Sequence, residues 1–286
     1  MSTLAVAAIQ MQSGRDPVRN CADLIAMVHE AASKGAAYIQ TPEMTGFLVR
    51  DRAEMMGNVR KQGNDKIVAA ASKLAGELKI YLHIGSTAIL RDDGKIANRA
   101  FLFGPDGGLI TTYDKIHMFD VDLDNGESWR ESATYEPGTR AVVADLPFGK
   151  VGFAVCYDVR FPQLFRAEAL AGAEILTAPA AFTKQTGAAH WHCLQRSRAI
   201  ENGAFMVTAA QAGLHEDGRE TFGHSMIVDP WGRIVAEAGG EGPETIVAEI
   251  DLAEVAQARK KIPNLKNARA FSVDEVSLVQ EGRQVA

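Results

Sequence analysis

The most informative segment of this chain is Gly152-Phe153-Ala154-Val155-Cys156-Tyr157-Asp158-Val159-Arg160-Phe161-Pro162. The apolar run from Val151 to Val155 predicts a buried strand, and the spacing from Pro162 to Ala171 predicts a helix with proline in its first turn. A thiol at such a corner is held rigidly, and backbone N–H groups of the turn are able to face a developing oxyanion. Most free cysteines, however, are small buried apolar residues. This stretch alone therefore leaves Cys156 open as a nucleophile or as a core residue.

The composition excludes several classes of protein. The 286 residues are 47% hydrophobic and 23% charged, which suits one large domain or two small ones. A formal net charge of -6 leaves no basic face for nucleic acid. Three cysteines, Cys21, Cys156 and Cys193, fit a reducing cytoplasm better than a disulfide framework. No basic signal segment and no apolar run of roughly 20 residues occurs, so we expect a cytoplasmic protein without a nucleic-acid or membrane partner.

Strand-like and helix-like segments alternate along the chain. Helices are predicted at 17–34, at 64–79 with Asn64 as the cap, and at 162–171, 188–201 and 252–261. Strands are predicted at 4–11, 37–40, 80–86, 99–103, 109–113, 141–146, 150–155, 174–178, 204–210, 224–228, 233–237 and 245–250. This mixture of strand–helix pairs and hairpins predicts an α/β fold with mixed sheets and helices on the outside. We expect one domain, 1–271, followed by a tail, 272–286, that docks on a partner subunit or stays loose.

Three charged residues stand out as possible partners of Cys156. A nucleophilic cysteine needs a base and a group that stabilises charge. Glu43 follows Pro42 directly after a predicted strand, Lys115 lies just after the first predicted hairpin, and Glu131 lies in a polar loop. Taken singly, each is better explained as a solvated surface charge. Their pattern together with Cys156 is what favours a catalytic site.

Three sequence blocks, in this order, give the chain a family resemblance. They are Pro-Glu-Met-Thr-Gly-Phe at 42–47, Tyr-Asp-Lys-Ile-His at 113–117 and the cysteine stretch at 152–162. The chain closely resembles the nitrilase, or carbon–nitrogen hydrolase, superfamily, whose signature is a Glu–Lys–Cys triad. The resemblance continues through 189–191, 196–202 and 223–232, and it covers about 4–271. Within the superfamily, the blocks at 156–162 and 223–232 look most like the deaminated glutathione amidases, with the ω-amidases of 2-oxo acid amides second.

The resemblance implies a role for each of these residues. Cys156 would attack the amide carbon and form a thioester, while Glu43 would take the thiol proton, pass it to the leaving amine and then activate water. Lys115 and the backbone N–H of Tyr157 would stabilise the oxyanion. Glu131 would hold Lys115 and help to position the substrate. The implied enzyme is an amidase acting on linear amides (EC 3.5.1.-) that needs no cofactor and no metal.

The implied fold is a four-layer α-β-β-α sandwich with two sheets packed face to face. Members of the superfamily commonly form homodimers or higher homo-oligomers, which here would associate through helices 162–171 and 188–201. Two positions depart from the resemblance, because many members have Glu where this chain has Gln163 and His192. Neither position belongs to the triad.

Deaminated glutathione carries carboxylates and a 2-oxo acid, so a pocket for it needs cationic or N–H donors near the triad. Arg160, Phe182 and Thr183 are the candidate substrate contacts, and an ion pair between Arg160 and Asp158 is the structural alternative for the arginine. The alternative activities are ω-amidase action on 2-oxoglutaramate or 2-oxosuccinamate, hydrolysis of N-carbamoyl amino acids, and nitrilase activity. An inactive scaffold that acts through protein contacts is the non-enzymatic alternative.

Residues 189–193, Ala-His-Trp-His-Cys, raise a metal site as a further alternative. On a helix His190 and Cys193 share a face, whereas His190 and His192 point to different faces. No second His/Cys cluster in the sequence completes a tetrahedral set. We therefore expect aromatic and histidine packing here and no metal.

Overall fold

Two six-stranded sheets form the centre of the structure, a computed structural model that describes residues 3–123, 126 and 128–276. The strands are, in chain order, β1 (Leu4–Gln10), β2 (Tyr38–Gln40), β3 (Tyr81–Leu90), β4 (Ile96–Phe103), β5 (Leu109–Asp114), β6 (Asp120–Asp122), β7 (Ser128–Arg130), β8 (Val143–Leu146), β9 (Gly149–Gly152), β10 (Ile175–Thr177), β11 (Phe205–Thr208), β12 (Ala212–Leu214), β13 (Glu220–Phe222), β14 (Met226–Val228), β15 (Ile234–Glu237) and β16 (Glu244–Ile250). The helices are α1 (Pro17–Ser33), α2 (Arg52–Asn58), α3 (Lys66–Leu78), α4 (Pro162–Leu170), α5 (Lys184–Asn202) and α6 (Ala253–Lys261).

Both sheets are mixed and are built in the same way. The first has the order β16-β1-β2-β3-β4-β5 and the second the order β15-β14-β11-β10-β9-β8. In the first sheet β1, β2 and β3 run parallel, and in the second β9, β10 and β11 do so; the outer strands pair antiparallel. Helices make the crossovers between the parallel strands, as such connections require. The predicted α/β class with mixed sheets is confirmed.

Apolar side chains divide the molecule into four layers. Val6 and Leu102 of the first sheet share a buried cluster with Val151 and Val207 of the second, so the two sheets pack face to face. On the outer side of the first sheet, a second buried cluster joins α1 and α3 to the strands. On the outer side of the second sheet lie α4 and α5, which contact β9, β10 and β11. The order of layers is therefore helix, sheet, sheet, helix, as predicted.

The stretch 152–162 forms the predicted corner, with one refinement. Strand β9 ends at Gly152, and a 3₁₀ turn over Cys156–Arg160 leads into α4 at Pro162. Cys156 opens this turn with φ of 52°, in the left-handed region that non-glycine residues rarely adopt. The nucleophile candidate is thus held in a strained turn, which is a frequent feature of functional sites.

Several boundaries differ from the predicted ones for local reasons. Asp65, not Asn64, caps α3, because its Oδ1 accepts from the N–H groups of Ile67 and Val68 at 2.9 and 3.0 Å. Thr183 caps α5, which therefore begins at Lys184, four residues before the predicted start. The prediction missed α2 and the short hairpins β6–β7 and β12–β13, which are too brief to show a period.

The ends of the chain add little to the core. Residues 272–276 of the predicted tail are exposed and have no regular structure, and 277–286 lie outside the described residues. None of the described helices is long and apolar enough to cross a bilayer.

Gly85 of β3 generates a prediction about stability. A Cβ atom there would lie 2.1 Å from the carbonyl oxygen of Thr41 and 2.5 Å from Cβ of Pro179. Because backbone cannot move aside as a flexible side chain can, Gly85→Ala should destabilise the protein by about 1–3 kcal/mol, the usual cost of overpacking. Gly57→Ala in α2 is the control, since its Cβ would have no atom within 4 Å. Equal midpoints of urea unfolding for the two variants would contradict this reading of the packing.

Candidate active site

Glu43, Lys115 and Cys156 meet at one edge of the sandwich, close to the ends of strands from both sheets. Glu43 follows β2 through the turn at Thr41 and Pro42, Lys115 directly follows β5, and Cys156 follows β9. The side chains of all three are buried. The packing of the two sheets thus brings together three residues that lie 41 to 113 positions apart in sequence.

Lys115 lies between two carboxylates. Its Nζ atom is 2.9 Å from Oε1 of Glu43 and 2.8 Å from Oε2 of Glu131, and its side chain is only 2% exposed. A buried ammonium is stable only when it is paired and hydrogen bonded. The two carboxylates meet that requirement, so the predicted contact between Lys115 and Glu131 is present.

Neighbouring amides orient the two carboxylates. Asn98 of β4 donates from Nδ2 to Glu43 at 2.9 Å and to Glu131 at 3.1 Å. The backbone N–H of Ala181 donates to Oε2 of Glu43 at 2.9 Å, and that of Phe119 donates to Oε2 of Glu131 at 2.7 Å. These donors leave each carboxylate little freedom to rotate.

The charges of the site follow from burial and from this pairing. Burial alone would raise the pKa of Glu43, but the Lys115 charge and hydrogen bonds from Lys115, Cys156 and Asn98 hold that pKa below its usual value. Burial would lower the pKa of Lys115, yet Glu131 and Glu43 keep it well above the ordinary value. Burial, together with the Glu43 charge, raises the pKa of the Cys156 thiol well above normal. The resting site therefore holds a carboxylate, an ammonium and a neutral thiol.

Asp158 ties the cysteine turn to the segment that carries Lys115. The hydroxyl of Tyr113 donates to Oδ2 of Asp158 at 2.6 Å, and the backbone N–H of His117 donates to Oδ1 at 2.9 Å. Tyr113 and His117 stand two residues before and two residues after Lys115. One buried carboxylate thus fixes the position of Lys115 relative to Cys156.

A cavity of about 710 Å³ opens onto the thiol of Cys156. Its apolar lining comes mainly from the segment that follows Glu43 and comprises Met44, Phe47, Leu48, Val49 and Met55. Phe182, Thr183 and Tyr157 line it as well, as does Glu131. The cavity is large enough for a small molecule of peptide-like size.

Three arginines also line this cavity, and they differ in how they are paired. Arg130 is neutralised by Asp122, with both carboxylate oxygens 2.8 Å from Nη2. The guanidinium carbons of Arg50 and Arg219 lie 4.4 and 4.7 Å from the centre of the Trp129 ring. Arg50 forms no salt bridge with any residue that the structure describes.

Two of the three predicted substrate contacts line the cavity. Phe182 and Thr183 line the cavity, but Arg160 does not lie among its described lining residues. Arg160 instead packs against Phe182, with its guanidinium carbon 5.3 Å from the Phe182 ring centre and Nη1 3.2 Å from Nδ1 of His190. The alternative ion pair of Arg160 with Asp158 is not formed either, because Asp158 is engaged as described above.

Comparisons with known proteins identify the family of the chain. The family model of carbon–nitrogen hydrolases matches residues 5–260. The chain is 40% identical to the deaminated glutathione amidase of Homo sapiens, over 92% of this chain and 82% of that protein. It is 38% identical to the omega-amidase NIT2 of Mus musculus, over 94% of this chain and 96% of that protein. The chain belongs to the carbon–nitrogen hydrolase family.

Solved structures of related proteins share the fold of this chain. The crystal structure of Saccharomyces cerevisiae Nit3, a member of branch 10 of the nitrilase superfamily, superposes with a TM-score of 0.82 at 31% identity. It matches over 91% of this chain and 94% of that chain. The carbon–nitrogen hydrolase fold predicted from the three sequence blocks is confirmed.

Sequence reasoning missed several residues of this carbon–nitrogen hydrolase site. Asn98 left a weak signal, since asparagine is disfavoured inside strands and here interrupts Ile96 to Phe103. Arg50, Trp129 and Arg219 could not be found from the sequence. They lie on segments far apart in sequence that only the folded chain brings to one cavity.

Removing the ammonium should make the stability of this hydrolase depend on pH in a defined direction. In Lys115→Gln, Glu43 stays buried beside Glu131 without its cation, so burial and repulsion should raise its pKa above the unfolded value. Such a carboxyl stabilises the fold below its unfolded pKa and loses that contribution as pH rises through its folded pKa. In the wild type the lowered pKa of Glu43 has the opposite effect, since stability is lost as pH falls.

We therefore expect Lys115→Gln to lower the free energy of unfolding more at about pH 8 than at about pH 5. The loss relative to the wild type should reach about 3–5 kcal/mol near neutrality. Thermal or denaturant unfolding at the two pH values measures it. Lys184→Gln, which breaks an exposed pair with Glu220, is the control and should cost under about 1 kcal/mol at both. If the loss of stability in Lys115→Gln did not depend on pH, the charges of Lys115, Glu43 and Glu131 would not be coupled as described.

Proposed function

We propose that this amidase hydrolyses the ω-amide of a small anionic 2-oxo acid through a thioester on Cys156, with deaminated glutathione as the preferred substrate. The observation that carries the proposal is the buried Lys115 between Glu43 and Glu131, at the floor of a cavity that also exposes the Cys156 thiol. ω-Amidase action on 2-oxoglutaramate is the second candidate, because relatives of both names match the chain closely.

In the first half-reaction, the Cys156 sulfur forms a bond to the amide carbon while its proton passes to Glu43. The raised pKa of the thiol and the lowered pKa of Glu43 mean that this transfer accompanies attack and does not precede it. The carbonyl oxygen becomes an oxyanion beside Lys115 and the N–H of Tyr157, which donates to no acceptor in the described chain. The C–N bond then breaks, Glu43 returns the proton to the leaving amine, and the acyl group remains on sulfur.

In the second half-reaction, water replaces the amine. Glu43 takes a proton from the water as its oxygen bonds to the thioester carbon, and Lys115 again faces the oxyanion. The carbon–sulfur bond breaks, the carboxylic acid product leaves, and Cys156 recovers its proton from Glu43. Glu131 takes no proton in this scheme. It keeps Lys115 charged and in place through both steps.

Deaminated glutathione and 2-oxoglutaramate deliver the same acyl group to Cys156. They differ in the leaving group, which is cysteinylglycine in one and ammonia in the other. Arg219 pairs with Asp217 through Nη2 at 3.3 Å, while its buried Nε has no hydrogen-bond partner in the described chain. We assign this free donor to the 2-oxo acid carboxylate that both substrates share. We assign Arg50, exposed and without a carboxylate partner in the described chain, to the glycine carboxylate that only deaminated glutathione carries.

Replacing Arg50 should separate the two substrates. We expect Arg50→Gln to lower kcat/KM for deaminated glutathione by at least about tenfold, the value of one charge-assisted hydrogen bond. Turnover of 2-oxoglutaramate should change by less than about twofold, because that substrate does not reach Arg50. Release of amine or ammonia measures both rates. Arg19→Gln, which removes an exposed arginine outside the cavity, is the control.

The same assay separates failure of the Arg50 assignment from failure of the function. Equal losses for the two amides would make Arg50 a general or structural residue. A neutral nitrile turned over as well as either amide would contradict the proposed function, since it would leave the cavity cations unpaired.

We infer that the protein stays in a reducing compartment such as the cytoplasm. The mechanism needs Cys156 as a thiol, and Cys21, Cys156 and Cys193 are all unpaired. Recovery of the native protein with Cys156 in a disulfide would contradict the inference.

We also infer that residues 1–271 act as one domain and that two copies associate through α4 and α5. Large apolar side chains are exposed on this side: Leu170 at the end of α4 (63%), Ile200 on α5 (51%) and Trp231 in the turn between β14 and β15 (53%). Exposed apolar residues grouped in this way favour contact with another protein surface, and a second copy presents the same residues.

Light scattering should accordingly give a particle of twice the chain mass of 30.8 kDa. Ile200→Asp should shift the protein to the single-chain mass, because a charge would be buried at the contact. Leu214→Asp, at an exposed leucine of β12, is the control and should leave the mass unchanged. A wild-type protein of single-chain mass would refute the dimer.

A further inference from the structure

Two histidines and a glutamate, residue types that can ligate metal ions, meet at partly exposed positions near α5, β14 and β15. His192 is on α5, His224 precedes β14, and Glu237 ends β15. Nε2 of His192 lies 2.7 Å from Oε1 of Glu237, and Nδ1 of His224 lies 2.9 Å from the same oxygen. One ligand atom from each residue lies within 4.8 Å of the others.

We propose that His192, His224 and Glu237 bind a divalent transition-metal ion of the zinc class. Two imidazoles and a carboxylate form a common ligand set for zinc, with bonds of about 2.0–2.2 Å. Tetrahedral geometry with such bonds separates ligand atoms by about 3.3 Å, so the two short contacts to Glu237 need to open by only about half an ångström. All three side chains are partly exposed, at 38%, 29% and 28%, which leaves room for water as a fourth ligand.

Two of the three ligands are already held in place. His224 has φ of 56°, its N–H donates to Gly239 and its carbonyl accepts from Nε1 of Trp191 at 2.7 Å. Glu237 is held in β15, where it pairs with Met226 of β14, two residues after His224. The backbone thus presents His224 and Glu237 together, and α5 supplies His192 to complete the set.

The site differs from the one that the sequence raised as an alternative. His190 and Cys193 take no part, because His190 contacts Arg160 and the Cys193 side chain is exposed elsewhere on α5. His192 is also a position where this chain departs from the common glutamate of the family. None of the three ligands belongs to the described lining of the cavity, so the metal has no place in the amide reaction.

We expect a bound ion to stabilise the packing of α5 against the β14–β15 hairpin. A bound ion would link α5 to the β14–β15 hairpin through side chains from three separate segments. Trp191, next to His192, packs edge-on against Phe182 at 5.1 Å between ring centres, and Phe182 lines the cavity. The ion would therefore stabilise the helix that supports this wall, and binding to the folded state raises the unfolding temperature.

Titration of the metal-free full-length protein with ZnCl₂, against a chromophoric chelator, tests the proposal. We expect one Zn²⁺ per chain and an increase in Tm on its addition. His192→Gln and Glu237→Gln should each weaken binding by at least about tenfold and abolish the Tm shift. Glutamine at 237 still accepts from both imidazoles, so that variant should fold. His29→Gln, at an exposed histidine of α1, is the matched control and should bind as the wild type does.

Zinc on the thiols is the competing explanation, and the same titration identifies it. Cys156→Ala and Cys193→Ser should retain the binding. Loss of binding in either, full affinity in His192→Gln, or half an ion per chain would each overturn the proposed site, the last because it indicates an ion shared between two chains.

Discussion

The contact on which the rest of the site depends is the buried ion pair of Lys115 with Glu43 and Glu131. An ammonium at 2% exposure carries a desolvation cost of several kcal/mol, which only close and well-oriented carboxylates offset. Those carboxylates are oriented in turn by Asn98 and by the backbone N–H groups of Ala181 and Phe119. The same network affects the Cys156 thiol, because the charge of Glu43 adds to burial in raising the thiol pKa and keeping it protonated.

The two-sheet architecture holds this network in place through buried amide side chains. Gln10 of β1 accepts from the N–H of Ser225 at 3.0 Å, and Gln40 of β2 accepts from that of Ala209 at 2.9 Å. Gln211 donates to the carbonyl of Glu43 at 3.0 Å. Each bond joins a residue in or just after a strand of the first sheet to the segment between β11 and β14 of the second sheet. In a buried setting such bonds are costly to leave unmade, so they fix the register of the sheets where the triad is assembled.

How much the sequence predicted depended on the range of the interactions involved. The corner at Cys156 could be predicted because a local apolar run, a thiol and Pro162 lie together. The sheets and most helices followed from periodicity, and the positions of Glu43, Lys115 and Glu131 followed from a family pattern. The capping of α3 by Asp65 was missed because Asn64 and Asp65 are both good caps and only the geometry decides between them. The arginines at Trp129 and the cluster around Glu237 could not be predicted, since no period or spacing links their segments.

In the proposed reaction, Cys156 carries the acyl group of the substrate while Glu43 moves the protons. Mass spectrometry of Glu43→Gln protein mixed with deaminated glutathione, and separately with 2-oxoglutaramate, tests it most directly. Glutamine cannot activate the water that frees the acyl group, so slowly formed acyl-enzyme should accumulate. We expect an adduct on the Cys156 peptide of the same mass from both substrates, and none in a Cys156→Ala protein. Adducts on another residue, or adducts that differ in mass between the two amides, would contradict it.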